Sequence, residues 1–171
     1  MPYTDLLRTT VFLTAGEATA LGAITAIAAG RETDTTTAVV AAAWWSIAFI
    51  LGIYLGRPTR AADGVHDVLA RARTATSLPQ ESPARIAAIR LWPIGLTALA
   101  AGILGAIFPG VAAVGAGYAL LVALAMRTRE AAVLGIEHRD GVRFYVVPTS
   151  ALRPIELVRA PGLRSDRLHE H

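Results

Sequence analysis

Glu17 is the residue with the most chemistry to offer. It interrupts an apolar stretch at residues 11–29, and an ionisable group inside a membrane span is costly unless it is paired, neutralised or able to reach the interface. A carboxyl that takes up and releases a proton there would suit a proton-coupled carrier. The plainer expectation is structural. Glu17 lies six residues past Val11, about 9 Å along a helix. From there it could reach the interface or pair with Arg8, Arg90 or Arg127 at similar depth.

Other candidate groups are fewer and weaker. Trp44-Trp45 fall within a second apolar stretch, and adjacent helical residues point about 100° apart, so both cannot face one groove squarely. They read as bulky packing or a partner contact, with a ligand platform as the lesser option. The four histidines, His66, His138, His169 and His171, all lie outside the apolar stretches. Haem held between helices needs an intramembrane histidine, so neither haem nor metal is expected. The absence of cysteine excludes disulfides, thiolate metal sites and cysteine nucleophiles. Arg57, Arg60, Asp63, Asp67 and Arg90 could form a polar cluster acting on lipid. No nucleophile elbow, phosphate-cradling glycine loop or paired acidic motif accompanies them.

The elements that must position these residues are apolar helices. Of 171 residues 54% are hydrophobic and 17% charged, against about a quarter charged in soluble domains. Such a chain cannot cover a water-facing surface and is expected to face lipid. Two spans are predicted at residues 11–29 and 38–55. A third apolar run, residues 91–126, would be about 54 Å long as one helix, too long for a hydrocarbon core of about 30 Å. It should therefore fold back at Phe108-Pro109-Gly110, because Pro cannot continue a helix and Gly permits the reversal. The fourth span is then residues 111–126.

All sixteen basic residues are Arg, a bias that fits a GC-rich genome as easily as chemistry, and the net charge is +3. Because they flank apolar runs, the arginines read as topology signals rather than as a nucleic-acid patch. Arg8, the six arginines between residues 57 and 90, and Arg127 and Arg129 all fall on one side of a four-span arrangement. Arg31, Glu32 and Asp34 fall on the other, and the turn between spans three and four carries no charge. Both termini are expected in the cytoplasm, beside a plasma (cytoplasmic) membrane. A cleaved secretory signal ending near Ala26-Ile27-Ala28 is the rival reading, and Glu17 in its apolar region argues against it.

The fold class expected is thus an all-α integral membrane protein of four helices, two hairpins with N-in/C-in orientation, and a small cytoplasmic tail containing a β-hairpin. Residues 1–56 form the first hairpin, 57–89 a cytoplasmic loop, 90–128 the second hairpin and 129–171 the tail. In the loop, Val65, Val68, Leu69 and Ala72 recur at helical spacing. This predicts an amphipathic helix over 61–75, lying on the membrane surface or packed on the tail. Ser82-Pro83 signals the next helix start. In the tail, residues 132–138 and 142–147 read as strands around a hairpin turn at Asp140-Gly141. Residues 154–159 could join as an edge strand, residues 160–171 are expected to be disordered, and so small a sheet needs outside support.

Small residues recur every four positions: Ala18, Gly22, Ala26 and Gly30 on the first span, and Gly102, Ala106 and Gly110 on the third. Such stripes let helix backbones approach closely, within the chain or at an oligomer interface. Arg57, Arg60, Arg90, Trp92 and Arg127 are the expected membrane-interface anchors. Four spans with one Glu in the first resemble the small multidrug-resistance transporters. Those have short loops and no soluble tail, so the resemblance covers only the first span and the span count.

The function these features point to is non-enzymatic: an accessory or scaffold subunit using its cytoplasmic loop and tail as an interaction surface. Its expected partners are the bilayer and a membrane-protein partner or a second copy, with no nucleic acid and no cofactor. The alternative is a small proton-coupled transporter working through Glu17 as a homo-oligomer.

Overall fold

The computed structural model describes residues 1–31, 35–74 and 82–161, with the side chains of Asp63 and Thr74 left aside. Its elements run α1 (Tyr3–Ala29), α2 (Thr36–Leu55), α3 (Pro58–Ala70), β1 (Arg73–Thr74), α4 (Pro83–Ile107), α5 (Pro109–Met126), α6 (Arg129–Asp140), β2 (Val142–Val146) and β3 (Leu157–Pro161). Four helices are long and apolar enough to cross a membrane: α1, α2, α4, and α5 with α6 continuing its line. Only 6% of the apolar window of α4 is buried. Side chains such as Leu99, Ile103 and Ile107 are left facing outward, as a lipid-solvated helix requires.

α5 is the middle of the bundle. It packs against α1, α2 and α4, whereas α1 and α2 scarcely touch each other. The first hairpin is therefore a matter of connectivity and not of packing. The second is tight: Phe108 separates α4 from α5, and Pro109 stands at the first position of α5. A methyl group added at Gly105 would lie 2.6 Å from Ala112 Cβ, so only glycine allows the two backbones to close at this turn.

At the opposite end a second core forms a cap. Tyr3, Leu6 and Leu7 of α1, Val65 and Leu69 of α3, Ile86 of α4, Val133 of α6, and Phe144, Val146 and Leu157 of the sheet bury one another. Each contributes about 1.5–3 kcal/mol relative to leaving it in water. The apolar face of α3 is thus taken up by the cap, which resolves the two readings of the loop helix in favour of packing on the tail. Residues 75–81, which include the expected polar stretch around Pro79, and residues 32–34, with Glu32 and Asp34, lie outside the described residues.

The tail departs from expectation in three places. Residues 132–138 are helical, not a strand. Ala132, Val133 and Ile136 meet the core at helical spacing, and Gly141 adopts φ 62° as the left-handed residue that ends α6. The Asp140-Gly141 signal therefore marks a helix end in place of a hairpin turn. Second, of the run 154–159 only Leu157, Val158 and Arg159 enter a strand, β3, which is the central strand of the order β1-β3-β2 and not an edge. It pairs antiparallel with β2 and parallel with β1. Third, Ala160 and Pro161 belong to β3, while residues 162–171 lie outside the described residues. The strand expected at residues 142–147 is present as β2, and its side chains alternate, with Phe144 and Val146 inward and Arg143 exposed.

The sheet is held at both edges by distant parts of the chain. Val146 N donates to Met1 O at 2.9 Å, and Pro2 bridges Tyr145. On the far side β1 comes from the loop after α3. Glu137 Oε1 accepts from Phe144 N at 2.9 Å, tying α6 to β2. Ile86→Ala is expected to remove about 2–5 kcal/mol of cap stability. The measurement is limited proteolysis: cleavage within residues 129–161 should accelerate severalfold while far-ultraviolet circular dichroism keeps the span helices.

Candidate functional site

Because α1 and α2 diverge over α5, a groove of about 490 Å³ opens between the three helices. Val11, Ala15, Ala18 and Gly22 line it from α1. Ala116, Leu120, Ala123 and Leu124 line it from α5, and Trp45 closes it from α2. Arg127 stands at its cap end as the single charged lining residue. Arg127 is exposed; among the described residues its guanidinium has no hydrogen-bond or ion-pair partner.

The tryptophans straddle α5 and do not share one groove. Trp45 Nε1 donates to Ala113 O at 2.8 Å, and its ring lies 3.8 Å from where a Gly22 Cβ would be. Trp44 Nε1 donates to Val114 O at 3.2 Å, and its ring meets Tyr118 at 5.3 Å. Trp44 sits so close over Gly117 that any Cβ there would clash with the indole. The packing role expected of the pair is what the geometry shows, and each indole N–H finds a carbonyl, as a group facing lipid must.

Glu17 does not line the groove. It is half-buried and makes no hydrogen bond or ion pair among the described residues. The cations expected beside it are engaged elsewhere or point elsewhere. Arg90 Nη1 donates to Ser150 O at 2.6 Å and Arg153 O at 2.8 Å, latching the β2–β3 connection to the base of α4. Arg8 lies over the Phe12 ring at 5.7 Å.

Arg57 and Arg60 both stack on Tyr54, at 4.7 and 4.4 Å, and Arg60 also donates to the Tyr54 hydroxyl at 3.1 Å. Trp92 is half exposed and borders a shallow cleft with Thr9, Leu13 and Leu91 between α1 and α4. His66 and His138 are exposed and far apart in sequence, and among the described residues no group of three metal-ligating side chains converges. His169 and His171 lie outside the described residues.

The small-residue stripes divide. Ala18 and Gly22 border the groove, whereas Ala26 and Gly30 are exposed. Nothing lies within 4 Å of a Cβ placed at Gly102 or Gly110, and Ala106 is exposed. The close approaches within the chain use Gly115 and Gly117 on the fourth span, with Gly52, Gly56 and Gly105. Sequence reasoning missed the groove, the Arg90 latch and the hydrogen bond from Thr128 Oγ1 to Gly56 O at 2.8 Å. The last joins the end of α2 to the start of α6. No spacing within one helix marks the groove, because it depends on which helices become neighbours.

Comparison with protein-family models, with curated proteins and with solved structures yields no match.

Gly117→Val should destabilise the bundle by about 1–3 kcal/mol by driving Trp44 off α5. Gly102→Val should stay within about 1 kcal/mol, because space is open and only helix propensity changes. Thermal unfolding of the monomer in detergent distinguishes the two.

Proposed function

We propose that this chain is a multi-pass protein of the plasma membrane with both termini in the cytoplasm. It acts there as a non-catalytic accessory or scaffold subunit, recruiting a membrane partner or a second copy through α4. The orientation is supported by the cap. The start of α1, the loop helix and the tail share one core, so they lie on one side, and the arginines gather at that end of the bundle, which the positive-inside rule assigns to the cytoplasm. The observation that carries the scaffold role is the outer face of α4. Gly95 and Gly102 have no neighbour within 4 Å of a would-be Cβ, and Ala106 is exposed on the same helix. A face of small residues unused by its own chain lets a foreign helix backbone approach closely. The tail itself needs no partner to fold, because the loop and the N-terminal residues support it.

The absence of native cysteine makes both halves testable with single-cysteine variants. Arg60→Cys and Ser150→Cys should label from the cytoplasmic face only, and Thr35→Cys and Phe108→Cys from the opposite face. Opposite-face labelling of residues 60 and 150 would overturn the orientation. Gly102→Cys in native membranes should cross-link to a second copy or another membrane protein, and Leu21→Cys, on the buried face of α1, should not. A Gly102→Cys protein that yields only monomer would remove the scaffold reading.

A second reading is favoured by one observation, the carboxylate of Glu17 left without a partner among the described residues. In an oligomer that group would meet another chain, and a proton-coupled transporter would use it. Glu17→Gln should then abolish proton flux in proteoliposomes; unchanged flux removes this alternative.

A further inference from the structure

We propose that the groove between α1, α2 and α5 holds one acyl chain of an anionic phospholipid, with the lipid phosphate on Arg127. The lining runs from Val11 to Gly22 on α1 and from Ala116 to Arg127 on α5, about 16 Å on each helix at 1.5 Å per residue. That is half of a hydrocarbon core about 30 Å thick, the depth of one leaflet. The groove therefore begins where a headgroup lies and ends near the bilayer centre, where Trp45 closes it.

Its size fits the occupant. About 490 Å³ spread over about 16 Å is room for an alkyl chain, and because the groove is open along its side a helix of a second copy would meet it only through a ridge of side chains. The walls are almost wholly aliphatic, and the Thr19 hydroxyl that borders them is already bonded to Ala15 O at 2.9 Å. Polarity is confined to the mouth. There Arg127 presents a guanidinium that has no partner among the described residues. One cation and no carboxylate in the lining suit a headgroup of net negative charge over a zwitterionic one. The proposal needs the spans to sit in lipid but not the scaffold role, so a failed Gly102→Cys cross-link leaves it standing.

The test is native mass spectrometry of the delipidated full chain in non-ionic micelles, offered equal amounts of dioleoyl phosphatidylglycerol and dioleoyl phosphatidylcholine. One bound phosphatidylglycerol is expected to outnumber bound phosphatidylcholine about fivefold, the factor that one arginine near a headgroup supplies. Arg127→Gln should bring the two to parity, and Arg127→Lys should retain most of the preference. Ala18→Leu, which fills the groove, should remove both adducts. Parity in the unmodified chain, a preference that survives Arg127→Gln, or adducts that survive Ala18→Leu would each overturn the proposal. So would a dimer that Ala18→Leu dissolves, because a second copy would then be the occupant. Arg127 is exposed, so its variants keep the fold and carry the test even where Ala18→Leu fails to fold.

Discussion

The bundle depends on how closely three helices can approach α5. Between apolar helices in lipid there is no water to expel, so association rests on dispersion and on the few hydrogen bonds that helices share. Dispersion decays over fractions of an ångström, which makes the size of each residue at a crossing decisive. A methyl at Gly52 would stand 2.8 Å from Leu124 Cβ, and Gly56 lies against the Leu124 carbonyl. With Gly105 over Ala112 and Gly117 under Trp44, these contacts fix the spacing of α2, α4 and α5. Trp44 and Trp45 then add contact area, and their N–H groups bind carbonyls of α5, so neither indole leaves a polar atom bare in hydrocarbon.

The cap works by a different force. Its side chains are large and aliphatic or aromatic, and they are buried against one another at an end of the molecule where water is available to expel. α1 and α4 run through both regions. Their first turns carry Leu6, Leu7 and Ile86 into the cap, and their later turns contact α5 in the bundle. Arg90 stands at the changeover on α4, where its guanidinium finds two backbone carbonyls. This explains how a residue expected to anchor in headgroups serves as a latch on the tail.

The spans were legible because hydrophobic length is a strong signal, and the turn at Pro109 because a run of 36 apolar residues cannot stand in one bilayer. The loop helix was legible from the spacing of Val65 and Leu69. The tail was half legible. β2 is the expected strand, but Asp140-Gly141 serves a hairpin turn and a helix end equally well, since both need a residue at positive φ. The composition Glu130-Ala131-Ala132 before it favoured helix, and the burial of Val133 and Ile136 on one face decided it. The groove and the edge pairings were not legible. Both arise from which helices become neighbours, and periodicity within one helix carries no information about that.

The closure of both sheet edges has a consequence for how the protein is made. Pro2 pairs with Tyr145, and Arg73 with Val158, so both pairings join segments that are distant along the chain. Contacts of such separation form late, after the intervening loops have been ordered. During synthesis the first residues and the loop strand wait, unpaired, until β2 and β3 leave the ribosome behind all four spans. The cap can close only once α1, α3, α4, α6 and the sheet have all been made. Until then the apolar faces of α3 and α6 lack the partners that bury them.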